Sequence, residues 1–139
     1  MFRKSRVTPP RAVFNEAQTQ CLRGFAAQVL GSESAVCQIH YHLLGCADLA
    51  DHDKAVAMLR ALRSEDWASA SNHNALAGAN NLVLGILLRI HAGTGTQVDY
   101  WVAMRSPFDI LEAPTLVACG KVASTPQVKL TPLFADTEL

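Results

Sequence analysis

The stretch at 75–92 constrains this chain more than any other. Residues 82–88 (LVLGILL) form its longest apolar run. That run is far too short to span a bilayer, which takes about 20 residues. Ala75, Leu76, Ala79, Leu82, Val83, Ile86, Leu87 and Ile90 recur at helical spacing, and Leu84 and Leu88 widen the stripe over most of the circumference. This pattern predicts a buried helix. Asn80, Asn81 and Gly85 weaken it, each by about 0.5–1 kcal/mol relative to alanine. The alternative is a turn at Asn80-Asn81, a strand over 82–91 and a hairpin loop over 92–96 containing Gly93 and Gly95. Leucine outnumbers the β-branched residues here, so the helix is preferred.

The remaining segments divide between the two periodicities. Asn15 can cap a first helix, with Gln18 three residues on as in a capping box. Ala17, Cys21, Leu22, Phe25, Ala26, Val29 and Leu30 follow at helical spacing, and Gly31 is placed to end the helix. From 36 to 44, Cys37, Ile39, Tyr41 and Leu43 alternate with Gln38, His40 and His42, which predicts a strand. A helix over 54–63 follows, with Asp51 or Asp53 as cap and Arg60 and Arg63 in its last turn. Residues 64–74 read as a polar break. Strand patterns return over 97–105, 115–124 and 127–134, where Pro132 marks an edge strand. The order predicts an α+β fold: a mostly antiparallel sheet of about four strands, with two or three helices packed on one face.

Length and charge bound the rest. The 139 residues suit one α+β domain over 13–139, preceded by a basic, flexible tail over 1–12 that carries Arg3, Lys4, Arg6 and Arg11. Twelve basic and twelve acidic residues cancel, which removes the electrostatic case for nucleic acid as the main partner. Half the residues are hydrophobic and only 17% are charged, so apolar surface shared in a homodimer is expected. Cys21, Cys37, Cys46 and Cys119 form no CxxC pair or disulfide framework, and the first residues lack a secretory apolar region. The expected setting is the cytoplasm, with no membrane partner.

No motif names a reaction. Cys37, His40, His42, Cys46, Asp48 and His52 cluster in sequence, and on a strand His40 and His42 point the same way about 7 Å apart. Cys46 and Asp48 share their parity, but the spacing matches no standard zinc pattern, so no metal or other cofactor is assigned. Asp48, Asp51 and Asp53 do not form a calcium loop. Ser69, Ser71 and His73 lack a nucleophile elbow. Gly93-Thr94-Gly95 does not open a helix, as a phosphate loop must. The cysteines read as inert.

A better lead joins two strands. Gln38, His40 and His42 share one face, and Asp99, Trp101 and Arg105 share another. If those faces align, they form a polar, aromatic surface suited to a small molecule. Two functions follow. One is a binding or interaction domain acting as a homodimer. The other is a small-molecule-binding protein or small enzyme whose sheet-lined pocket uses His40, His42, Asp99, Trp101 and Arg105.

Overall fold

The computed structural model describes residues 14–48, 52–65, 82–106 and 113–133. The basic tail, the Asp51 cap, the loop with Ser69, Ser71 and His73, the 75–81 half of the expected long helix, and Phe134 lie outside these residues. The described elements are α1 (Glu16–Leu30), a 3-10 turn (Glu33–Ala35), β1 (Val36–Asp48), α2 (His52–Ser64), β2 (Leu82–Ala92), β3 (Gln97–Ser106), β4 (Thr115–Lys121) and β5 (Thr131–Pro132). The strands form one sheet in the order β4-β3-β2-β1-β5. Every pairing is antiparallel. The fold is therefore α+β with an antiparallel sheet, and β5 brings the strand count to five.

The 82–92 segment is a strand, not the preferred helix. It is the central strand and is covered on both sides. Leu84, Ile86, Leu88 and Ile90 face one layer, while Val83 and Leu87 face the other. A strand buried on both faces loses the apolar–polar alternation that normally reveals it. Its leucines therefore also fit a helical stripe. The Gly93–Gly95 stretch is the hairpin loop of the alternative reading: Ala92 N–H donates to Thr96 O at 2.8 Å, and Gly95 takes φ 97°.

The two helices were expected on one face, but they lie on opposite faces. The cause is the same two-sided strand, which must be covered twice. On one face, Leu22 and Ala26 of α1 pack with Ile39, Tyr41, Leu84, Ile86, Leu88, Ile90, Val102 and Met104. Both ends of α1 match the sequence. Asn15 and Gln18 form the reciprocal capping box, and Gly31 closes the helix at φ 86°. Gln18 is fully buried and also donates through Nε2 to Ser106 Oγ at 3.2 Å. Phe14 meets Tyr41 edge-on at 5.0 Å, and Phe25 meets Tyr100 at 5.4 Å.

On the other face, α2 sits over a row of small residues. Gly45, Gly85, Ala103 and Ala118 are register partners across four strands. A Cβ on Gly85 would lie 3.0 Å from Met58 Sδ and 3.3 Å from Leu62 Cδ1, so this glycine permits the close approach of α2. Leu44 alternates into the α2 layer, and a register shift between Leu43 and Gly45 puts Gly45 on that face too. The shift inverts the alternation beyond it. Cys46 packs with the α1 layer, opposite His40 and His42, because the bulge cancels the parity read from sequence.

The expected strand over 127–134 is reduced to β5. Before it, residues 122–130 cross the α2 face as a strap, carrying the chain from β4 at one edge to β5 at the other. Val122, Val128 and Leu130 join the core there with Leu87 and Trp101. Glu65 holds the start of the strap by accepting from Ala123 N–H through Oε2 at 2.9 Å.

Candidate functional site

The α2 face divides into two ends. Under α2 and the strap it is apolar and closed. Beyond the strap, two rows of polar residues continue across the same strands. Gln38, His91 and Gln97 form one row, and His40, Arg89 and Asp99 form the other. Register partners in an antiparallel sheet share a face, so these six side chains lie together.

Arg89 and Asp99 organise this end. Nε of Arg89 donates to Asp99 Oδ1 at 2.8 Å, and Nη2 donates to Oδ2 at 2.9 Å. The side chains are only 15% and 8% exposed. This is a two-pronged charge-assisted pair, which fixes orientation as well as charge. The hydrogen bonds to Asp99 lift Arg89 further above its already high range, with partial burial opposing them.

His40 and His91 sit beside this pair. Their rings meet edge to face at 4.8 Å. Nδ1 of His40 and Nε2 of His91 are buried and have no hydrogen-bond partner among the described residues. Burial, then the neighbouring His91 and Arg89, hold His40 below the usual imidazole range. His40 is consequently neutral at pH 7. Neither polar row holds a serine, threonine or cysteine.

The five residues singled out from sequence have different fates. His40 and Asp99 share a row, two strands and so about 10 Å apart, with Arg89 between them. His42 lies one row nearer the strap, where its Nδ1 is 3.2 Å from Lys129 O; a carbonyl only accepts, so Nδ1 carries the proton. Trp101 is 9% exposed and lies in the core under the strap, against Gly120. Arg105 is on the same face as Asp99, but about 20 Å away along β3. Arg89 and His91 were missed, because a helix reading of 82–92 gives them no shared face with His40. The available signal was their alternation with Leu88 and Ile90 at the end of the run.

Among the described residues no group of three or more His, Cys, Asp or Glu is placed to hold a metal ion. The described cysteines are free thiols. No described helix is long and apolar enough to cross a membrane. No protein-family model, curated protein or solved structure matches this chain.

Proposed function

We propose that this chain is a small-molecule-binding domain whose ligand rests on the polar end of the α2 face, on Gln38, His40, Arg89, His91 and Asp99. One observation carries the reading: two adjacent imidazoles each keep a buried nitrogen that no described residue satisfies, beside a rigid Arg–Asp pair. Buried polar atoms are nearly always satisfied, so an orphaned pair on one surface calls for an occupant. Directed polar groups at the margin of an apolar core are the usual composition of a ligand site. A thermal-shift screen of small polar compounds tests this, run on the wild type and on Arg89→Gln. Compounds that stabilise the wild type but not the variant support it. Equal stabilisation of both proteins, or no stabilisation by any compound, overturns it.

Self-association is the second reading. The apolar stretch over 83–88 is consumed inside the sheet and offers it nothing. Its support is now β4, an edge strand with Val117 53% exposed, the one large apolar side chain so exposed among the described residues. A strictly monomeric mass by light scattering at tens of micromolar would refute it. A cytoplasmic setting goes with either reading, supported by four free thiols of which Cys37 and Cys119 are exposed.

A further inference from the structure

Resting on the binding reading above, we propose that the ligand group held by His40, His91 and Arg89 is an anion, a carboxylate or a phosphate. Both oxygens of Asp99 face the Arg89 guanidinium, and Asp99 is nearly buried. Gln38 Oε1 accepts from Ile39 N–H at 2.8 Å, which leaves its amide nitrogen as the outward group. Arg89 has five N–H groups, and the pairing with Asp99 uses two of them. The imidazoles of His40 and His91 can each donate one N–H as neutral rings and two as cations. Gln97, exposed at the margin, is the one side chain of the two rows with an uncommitted amide oxygen. Donors therefore outnumber acceptors, and no carboxylate remains to receive a cation. A group with several acceptor oxygens and negative charge matches this set. A cationic or donor-rich group would meet N–H against N–H.

Charge gives the same surface a direction with pH. Among the described residues, the charged and titratable groups around His40 are His42 on its own strand, Arg89 and His91 on β2 and Asp99 on β3, while β5 contributes uncharged Pro132. Burial, then His91 and Arg89, disfavour the imidazolium of His40. A bound anion favours it, so binding draws a proton onto His40 and strengthens as pH falls.

The test is NMR of the histidine rings in the full chain, titrated separately with inorganic phosphate, acetate, glycerol, ethylammonium and sodium chloride. The expected result is a saturable shift of the His40 and His91 signals with phosphate or acetate. The midpoint should be at least about threefold lower at pH 6 than at pH 8. Arg89→Gln should weaken the response about tenfold, the loss expected for charge-assisted hydrogen bonds. His91→Gln should weaken it as well, and serves if the Arg89 variant fails to fold. Phosphate alone assigns a phosphate group, and acetate alone a carboxylate. Saturation by glycerol or ethylammonium, with no response to the anions, overturns the anion while leaving the binding surface in place. An equal effect of chloride overturns it as a general salt response. Silence of both rings towards every titrant and every hit of the compound screen removes the inference and the binding reading together.

Discussion

Replacing Asp99 with asparagine should destabilise the protein by about 2–3 kcal/mol. The substitution keeps the shape, removes the charge and puts an amide N–H where Oδ2 receives Nη2 of Arg89. Breaking a fully buried ion pair costs about 3–5 kcal/mol, because the remaining charge is left without compensation. Arg89 is 15% exposed and has a long stem, so part of that cost is relieved by turning towards water. At this chain length each kcal/mol lowers the midpoint by about 3 °C, so a fall of about 6–9 °C is expected. The double variant Arg89→Met/Asp99→Leu removes both charges and should return to within about 1 kcal/mol of the wild type. Urea denaturation of the wild type, Arg89→Met, Asp99→Leu and the double variant, followed by circular dichroism, gives the coupling energy, expected near 2 kcal/mol. The coupling should largely persist in 1 M salt, since a buried pair is poorly screened. A cost below about 0.5 kcal/mol for Asp99→Asn, or single-variant costs that simply add, would refute this account of the pair.

Three further outcomes follow from named contacts. Gly120→Ala places a Cβ 2.5 Å from Trp101 Nε1, so it should cost about 1–3 kcal/mol and alter tryptophan emission, whereas Gly24→Ala, with nothing within 4 Å, should be neutral or stabilising in a urea titration. Asn15→Ala removes half of the capping box and should cost about 1 kcal/mol, with Asn15→Asp close to neutral by the same measurement. His40 is held below its ordinary value of 6.5, so the unfolded chain takes up the proton first. Its contribution is intact above about pH 6.5 and is lost as pH falls towards the lower folded value. The urea midpoint should decline from pH 7.5 to 5, less steeply in His40→Gln, and a rise on acidification would contradict the assignment.

The parts of the fold visible in the sequence are those with one wet side. α1 shows its polar face, its capping box and its terminal glycine, and β1 and β3 alternate along the stretches that matter. β2 has no such contrast, because α1 covers one of its faces and α2 with the strap covers the other. Gly85 weakens a helix on paper, but its role is to seat Met58 and Leu62. The site was half visible for the same reason. His40 and Asp99 stand out on alternating strands, but Arg89 and His91, which join them, sit on the strand that hides its periodicity. The bulge between Leu43 and Gly45, signalled in the sequence only by a glycine inside the strand, moved Cys46 to the other face.

The described residues close one sheet face at its apolar end and leave it open at its polar end. A soluble gadolinium chelate measures this directly, through paramagnetic broadening of side-chain NMR signals. The account predicts that the methyls of Val83 and Leu87, beneath α2 and the strap, stay sharp, while the ring signals of His40 and His91 on the same face broaden. Broadening of the Leu87 methyls, or rings as protected as those methyls, would contradict it.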